Sequence, residues 1–286
     1  MKVVHLAKYY YPYSGGIETV VRSLCMGTEV EHDISVYCSN TKSKSECDVI
    51  DNITVKRLPR FGVIASQPIN PHIFLIIREL KDADVIHIHT PNPLFELALL
   101  LFLPKHIPIV VTHHSDIIKQ KLLGKLYRPL LNMFYQKVKK IIVATKNHIT
   151  ASPVLPSFQS KTEIIPFGLN SSDYPDDSEV SEKANDLKTE YGNYFIFIGR
   201  LVEYKGVRFL IDAFESINAK LLICGTGPLK EELKEKVTKD NLLDKVHFLG
   251  RVEGQKNMGA LIKGSVGLVL PSILSLIHIS EPTRPY

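Results

Sequence analysis

Two kinds of hydrophobic pattern alternate along the chain. Short runs of β-branched and other apolar residues are typical of strands, and several of them are apolar at every position. Strands that are apolar on both faces belong in a parallel sheet covered by helices on each side. The predicted strands of a first domain are Val3–Leu6, Ile34–Cys38, Ile53–Leu58, Val85–His89, Ile109–Thr112, Ile141–Ala144 and Thr162–Ile165.

Between these runs, apolar residues recur at the spacing of an amphipathic helix. The series i, i+3, i+4, i+7 begins at Ile17 and again at Ile73. Strands that alternate with such helices predict an α/β fold with a doubly wound sheet.

The segment from Asn170 to Glu190 is polar, and we interpret it as an interdomain region. A second alternation then begins, with one helix starting near Val207. Its four predicted strands are fewer than the roughly five or six of a complete Rossmann-like domain. We therefore expect a first domain at residues 1–175 and an incomplete second domain at 176–273. The predicted strands of the second domain are Phe195–Ile198, Lys220–Cys224, Val246–Leu249 and Val266–Leu270.

Composition narrows the class of protein. The chain has 286 residues, 44% of them hydrophobic, which fits two globular domains. The first residues lack the features of a secretory leader, and no apolar run approaches the ~20 residues that span a bilayer, so we expect a cytoplasmic protein. The cysteines have no metal-ligand spacing, and we assign them no function. They are Cys25, Cys38, Cys47 and Cys224.

The net charge of +5 is unevenly distributed. Seven Lys and Arg residues and no acid lie within Lys119–Lys140, where leucines and Phe134 are interleaved with the cations. A helix of this pattern suits an anionic membrane surface, although the same apolar stripe also suits packing on the sheet. We hypothesise peripheral membrane contact through this segment and predict no nucleic-acid partner.

Two glycine-containing loops are candidate phosphate sites. Gly15 and Gly16 lie between the first strand and the first helix, where a helix N-terminus offers free N–H groups to an anion; a simple flexible loop is the alternative. In the second domain, Gly199–Gly206 follows a strand and places Arg200 and Lys205 at the sheet edge where α/β folds bind ligands. A diphosphate would fit between these cations, whereas a solvated turn with Glu203 paired to Lys205 is the alternative.

His87 and His89 alternate on one predicted strand and therefore share a face. Such a pair formally resembles a metal site, but no carboxylate or cysteine occurs at ligand spacing. We expect one buried, hydrogen-bonded histidine and one that lines a cleft, and we predict no metal.

Seven motifs together indicate a family. They are Gly15-Gly16, Thr112–Asp116, Ile165–Leu169, Gly199–Gly206, Cys224–Leu229, Phe248–Gly250 and Leu270–Ser272. In this order they resemble the family-4 glycosyltransferases of the GT-B fold, over about residues 1–273. The resemblance implies two Rossmann-like domains that face a cleft. It also implies retaining transfer of a hexosyl group, without metal or other cofactor, from a nucleoside-diphosphate sugar to a hydroxyl of a glycan or lipid-linked saccharide.

The resemblance also implies roles for single residues. Gly15 and Gly16 would back the donor diphosphate, and Arg200 and Lys205 would neutralise it. His114 matches an active-site histidine that contacts the donor sugar, with His113 as the alternative because neighbouring strand residues point opposite ways. Two further glycines would line the donor nucleotide, and they are Gly225 and Gly227.

The end of the chain departs from the family pattern. Family members continue after the last Pro-Ser with a Glu, a glycine-rich turn and a second Glu, whereas Leu274–Arg284 resembles the translation of a transposase-type sequencing adapter. We expect residues 274–286 to be a non-native tail and a protein of this sequence to be inactive.

Two other functions remain open on the sequence. A nucleotide-sugar 2-epimerase shares the two-domain plan but would need additional acid/base carboxylates, and NMR of the product would distinguish it. A non-catalytic nucleotide-binding protein is consistent with the missing acidic motif.

Overall fold

A computed structural model describes residues 1–13, 15–64, 67–116, 121–168 and 175–272. The chain divides into two compact units, Met1–Gly168 and Leu169–Tyr286. The predicted tail at 274–286 lies outside the described residues. None of the helices within the described ranges combines the length and the apolar character needed to span a membrane.

The first unit is built on an eight-stranded sheet. In chain order the strands of this unit are β1 (Lys2–Leu6), β2 (Asp33–Ser39), β3 (Glu46–Ile50), β4 (Ile53–Leu58), β5 (Gly62–Ile64), β6 (Gln67–Ile69), β7 (Val85–Thr90), β8 (Ile109–His113), β9 (Lys140–Val143) and β10 (Thr162–Ile164). The order across the sheet is β10-β9-β8-β7-β1-β2-β4-β3, while β5 and β6 form a separate hairpin. All neighbours in the large sheet are parallel except β3 and β4.

Helices cover both faces of this sheet. Those described are α1 (Gly16–Thr28), α2 (Ile73–Ile76), α3 (Pro93–Phe102), α4 (Lys121–Lys137) and α5 (Lys146–Ala151), with 3₁₀ helices at Ile77–Asp82 and Leu155–Lys161. Adjacent residues of β1 enter different cores: Val3 packs in the cluster that contains Val21 of α1, and Val4 packs in the cluster that contains Phe95 of α3. The sheet is therefore buried on both sides.

The seven strands predicted for the first domain are all present, but β3, β5 and β6 were not predicted. Strand β3 is an antiparallel edge strand whose residues are exposed or only partly buried, so it carries little hydrophobic signal. Strands β5 and β6 have three residues each, and Pro68 interrupts the second one. Short and exposed strands lack the apolar run on which prediction depends.

The second unit contains a four-stranded parallel sheet. Its strands are β11 (Tyr194–Ile198), β12 (Lys220–Cys224), β13 (Val246–Gly250) and β14 (Gly267–Leu268), and its helices are α6 (Ser178–Tyr191), α7 (Val207–Ala213), α8 (Lys230–Lys239) and α9 (Gln255–Gly264), with a 3₁₀ helix at Glu203–Lys205. The strand order is β13-β12-β11-β14. Each unit is thus an α/β layer structure with parallel strands at its centre.

Helix α6 occupies most of the segment that was predicted as an interdomain region. Asp177 caps it by accepting the N–H of Val180 at 3.0 Å. Val180 and Ala184 are buried together with Ala260 of α9, so a stripe of small apolar residues spaced four apart holds the helix on the second unit. The polar composition of this segment reflects its solvent face, which is why the sequence did not predict a helix here.

Candidate active site

The β-sheet register of the first unit gathers four histidines on one face. His5 of β1 is the direct neighbour of His87 on β7, and His89 is the neighbour of Thr112 on β8. Side chains two residues apart on a strand point to the same face, so His114, two residues after Thr112, joins them. Sequence analysis identified His87, His89 and His114 but missed His5. The sequence of a strand does not show which residues of the neighbouring strand will lie beside it.

Three of these imidazoles form a chain of hydrogen bonds. His5 Nδ1 lies 3.2 Å from His89 Nε2, and His89 Nδ1 lies 3.1 Å from His114 Nε2. The three rings are between 1% and 3% exposed. Burial lowers the pKa of each of them, that of His114 to about 3, so the rings are neutral at physiological pH.

His87 lies beside this chain without belonging to it. Its Nε2 is 2.7 Å from the Thr112 hydroxyl, and its ring stacks on His89 with 4.7 Å between centroids. Burial lowers the pKa of His87 to about 4. Of the two histidines, His89 is the buried, hydrogen-bonded one that was predicted. His87 is only partly buried.

One nitrogen from each of three rings, those of His5, His87 and His89, lies within 4.8 Å of the other two, which is a grouping that could hold a metal ion. Tetrahedral zinc holds its nitrogen ligands about 2.0–2.1 Å from the metal. The nitrogens of His5 and His89 also face one another in a hydrogen bond. The prediction of no metal stays a prediction that metal analysis can test.

His113 and His114 point to opposite faces of the sheet. His113 Nδ1 is 2.8 Å from the hydroxyl of Tyr135, a residue of α4 that packs in the core. His114 instead contacts His89 and lies 5.3 Å, between ring centroids, from Phe167. Its Nδ1 is buried and has no hydrogen-bond partner among the described residues. This nitrogen is therefore an unsatisfied buried polar atom, and a bound ligand can satisfy it.

A second polar cluster, around Glu96, lies among the core residues of the first unit and was not predicted. Glu96 of α3 accepts the backbone N–H of Asn92 at 2.8 Å and the hydroxyl of Tyr127. The carboxyl is fully buried, and burial raises its pKa to about 7. The sequence signal was a single glutamate inside the otherwise apolar run from Leu94 to Leu103.

The loop with Gly15 and Gly16 carries a carboxylate that sequence analysis did not consider. Helix α1 begins at Gly16, and a side chain on Gly15 would meet the Glu18 carboxylate at 2.3 Å. Glu18 is 8% exposed, and burial raises its pKa. An anion bound at this helix N-terminus would therefore have a buried carboxyl as its neighbour.

In the second unit, Arg200 and Lys205 lie in the connection between β11 and α7. Arg200 is exposed and Lys205 is partly buried, and burial lowers the pKa of Lys205. Within the described ranges neither cation forms an ion pair with a carboxylate, so the alternative pairing of Lys205 with Glu203 is not formed. Two cations without a carboxylate partner are thus present at the carboxyl end of the first strand of this sheet.

Gly225 and Gly227 are required by backbone packing. A side chain on Gly225 would meet the carbonyl oxygen of Gly199 at 1.9 Å, and one on Gly227 would meet that of Leu201 at 2.3 Å. The Leu201 N–H also donates to the Thr226 carbonyl at 3.0 Å. These contacts bind the loop after β12 to the loop that carries Arg200. That the two glycines line a nucleotide stays a prediction.

Comparison with known proteins places this geometry in a family. The profile of Glycosyltransferase Family 4 matches residues 14–170, and that of Glycosyl transferases group 1 matches residues 179–282. D-rhamnosyltransferase WbpZ of Pseudomonas aeruginosa is 34% identical over 279 residues, which cover 96% of this chain and 72% of that protein. O-antigen chain mannosyltransferase C of Escherichia coli is also 34% identical over 279 residues, with 96% and 73% covered.

Solved structures with the same fold include HepE of Anabaena in complex with UDP, with a TM-score of 0.70 at 17% identity, covering 95% of this chain and 74% of that one. Sucrose-phosphate synthase from Thermosynechococcus elongatus has a TM-score of 0.71 at 16% identity, with 96% and 76% covered. The chain therefore belongs to the family-4 glycosyltransferases, and its fold is GT-B.

Proposed function

We propose that this protein is a retaining glycosyltransferase that moves a hexosyl group from a nucleoside-diphosphate sugar to a hydroxyl of a glycan or lipid-linked saccharide. The observation that carries the proposal is the pair Arg200 and Lys205, which follow the first strand of the second unit of a family-4 glycosyltransferase. In the part of the chain that the structure describes, neither cation forms an ion pair with a carboxylate. A diphosphate leaving group carries the opposite charge and needs such neutralisation when the glycosidic bond breaks.

The charges have the right magnitude for this role. At an effective dielectric constant near 20, a cation about 4 Å from a phosphate charge contributes about 4 kcal/mol before desolvation costs. Two such contributions substitute for a divalent metal as leaving-group stabiliser. We therefore expect transfer to continue in the presence of a chelator.

The other site residues take the roles that the family resemblance implies. Gly15 and Gly16 back the diphosphate at the N-terminus of α1. His114 orients the donor sugar through Nδ1, which has no hydrogen-bond partner among the described residues. Gly225 and Gly227 face the nucleotide. Because Gly225 and Gly227 pack on the loop of Arg200, ligand contact with either loop acts on both.

Names of relatives support a hexose or deoxyhexose donor. The two at 34% identity are named as a D-rhamnosyltransferase and an O-antigen chain mannosyltransferase. Solved structures of the same fold contain UDP, UDP with glucose, and UDP-glucose. We propose a saccharide acceptor of the polysaccharide class on the same basis.

The proposal is tested with a panel of UDP- and GDP-linked hexoses and deoxyhexoses, including mannose and rhamnose donors. One arm uses this chain, and a second arm replaces residues 274–286 to test the proposal that they are a non-native tail. Release of the nucleoside diphosphate together with an α-linked product from an α-linked donor, assigned by NMR, is the expected result. An inverted product contradicts retention, and a 2-epimerised donor without transfer assigns the epimerase activity instead.

Binding of the nucleoside diphosphate alone separates the role of the cations from turnover. Arg200→Ala and Lys205→Ala should each weaken binding about tenfold or more, because each removes a charge-assisted contact. Arg208→Ala is the matched control: Arg208 is an exposed cation of α7 that pairs with Glu232. Equal loss in all three variants would argue for a general charge effect and against a diphosphate site.

We also propose that the protein is cytoplasmic and contacts an anionic membrane surface through Lys119–Lys140. Leu131 and Phe134 of this segment are buried in the core, so its exposed cations such as Arg128 carry the proposal. Each cation near an anionic surface contributes about 1 kcal/mol. Arg128→Glu should reduce sedimentation with anionic liposomes and Lys234→Glu on α8 should not; absence of sedimentation by the parent protein overturns the proposal.

A further inference from the structure

The hydrogen-bonded histidines cross three strands and end at one free nitrogen. His5 is on β1, His89 is on the neighbouring β7, and His114 directly follows β8. The two ring-to-ring distances are 3.2 and 3.1 Å, and the atoms used are Nδ1 of His5, both nitrogens of His89 and Nε2 of His114. Among the described residues, Nδ1 of His114 is the one nitrogen of these three rings that is buried without a hydrogen-bond partner.

Neutral imidazole has one N–H donor and one bare nitrogen that accepts. A hydrogen bond between two rings needs one of each, so a choice made at one ring forces the choice at the next. In one arrangement all three rings are protonated at Nδ1, and His114 Nδ1 is a donor. In the other all three are protonated at Nε2, and His114 Nδ1 is an acceptor. Any mixed arrangement places two donors or two acceptors face to face.

We propose that His5 and His89 are positioning residues that set the tautomer of His114, and thereby decide whether its free nitrogen donates to or accepts from the sugar. The benefit to a sugar rests on the proposed function, whereas the tautomeric coupling does not. The rings are 1% to 3% exposed, so water does not compete for their nitrogens. A hydroxyl group can donate or accept, so the state of His5 determines which orientation of that hydroxyl is bound.

Neighbouring groups leave the chain of three intact. His87 stacks on His89, but its own hydrogen bond runs to Thr112. Phe167 packs on His114 through its ring and offers no donor or acceptor. The Thr112 hydroxyl therefore provides a control: it contacts an adjacent histidine on the same face without taking part in the coupling.

The test is two-bond ¹⁵N–¹H NMR of the full chain with labelled histidine, which distinguishes the two neutral tautomers of each ring. The expected result is the same tautomer at all three positions. His5→Leu removes the ring that fixes this choice and should change His114 from a single tautomer to a mixture. Thr112→Val should leave the three rings as they are.

Different tautomers among the three rings in the parent protein would overturn the proposal. So would an unchanged His114 signal in a folded His5→Leu protein. The first measurement needs no substitution, so it decides the question even where a variant does not fold. Because the readout is spectroscopic, its failure is distinguishable from failure of the glycosyltransferase assay, which would leave the tautomer pattern in place.

Discussion

The two units present their candidate site residues in different ways. In the first unit the site consists of buried side chains, the histidines on one face of the sheet, positioned by strand register. In the second unit it consists of Arg200, which is exposed, and Lys205, which is partly buried, on one loop. Gly225 and Gly227 hold that loop, because they allow the backbone of a second loop to pack directly against it. The candidate site of the first unit thus depends on buried imidazole side chains. That of the second unit depends on the backbone conformation of its loops.

This difference predicts different vulnerabilities. Buried titratable groups make the stability of the first unit depend on pH, because each prefers its neutral form. Glycine contacts make the second unit sensitive to a single methyl group, because a closely packed backbone has no room to move. Each prediction that follows tests one side of this comparison.

The largest effect is expected for Gly225→Ala. The new methyl group would overlap the Gly199 carbonyl, and the backbone there has a φ of +148°. We expect a loss of about 4 kcal/mol or more in the free energy of unfolding, measured by chemical denaturation. Gly250→Ala is the control, because its φ is +71° but the added Cβ would meet no heavy atom of the described residues within 4 Å. Backbone strain alone should then cost about 1–2 kcal/mol. Equal losses would mean that the close contact is unimportant.

The second prediction concerns Glu96 in the first unit. Its pKa of about 7 lies above the unfolded value of 4.5, so the folded state keeps a proton that the unfolded state releases. Glu96 should therefore contribute a decrease of about 3 kcal/mol to the free energy of unfolding as pH rises from 4.5 through 7. This contribution is measured as the difference between the parent protein and Glu96→Gln, because the buried histidines titrate in an overlapping range. Glu96→Gln should remove this decrease and stabilise the protein at about pH 8.

Glu79→Gln is the matched control for this pH dependence. Lys56 lowers the pKa of Glu79, so its contribution is lost only as pH falls through the acid range. The control should leave the slope between about pH 6 and 8 unchanged. No pH dependence in the difference between the parent protein and Glu96→Gln would show that Glu96 titrates as an ordinary carboxyl.

The third prediction concerns His114, whose contribution to stability changes with pH in the opposite direction to that of Glu96. Its pKa of about 3 lies below the unfolded value of 6.5, so the unfolded state takes up a proton first and stability falls as pH drops below 6.5. Replacing the ring by Asn or Gln should reduce the loss between about pH 7.5 and 5.5 by about 1.4 kcal/mol. Agreement between both variants identifies titration as the cause, and disagreement points to packing.

The smallest effect is expected at Glu18, beside the proposed diphosphate site. Removing its charge with Glu18→Gln should strengthen binding of a nucleoside diphosphate about threefold, because anions are favoured at a helix N-terminus that lacks a competing carboxylate. Glu31→Gln, at an exposed position beyond the other end of α1, should have no effect on affinity. Weaker binding in the Glu18 variant would mean that this carboxyl supports the loop.

Much of the fold was predictable because long apolar runs and helical spacing are local signals. The strand Lys220–Cys224 was predicted with the bounds it has, and Ile17 indeed lies in a helix that faces the sheet. Helix α6 was missed because it is mostly polar, and a narrow apolar stripe that includes Val180 and Ala184 packs on the rest of the unit. In the sequence alone, a mostly polar helix with a narrow apolar stripe resembles an interdomain linker.

The site was predicted less completely than the fold. His114 was identified through the family resemblance, but His5 lies about 80 residues from His87 in sequence and becomes its neighbour only through strand pairing. Neither Glu96 nor Glu18 was identified from the sequence as a candidate site residue. In each case the decisive property is burial beside a particular partner.

The sequence by itself determined the α/β class, the succession of two domains and the family, because periodicity and short motifs are written along one chain. Only the tertiary structure decided that three histidines share hydrogen bonds, that Gly225 touches Gly199, and that Lys205 does not pair with Glu203. These facts depend on register and on the close approach of distant segments. Local sequence does not encode strand register or the approach of distant segments, because both are set when the layers of each unit pack.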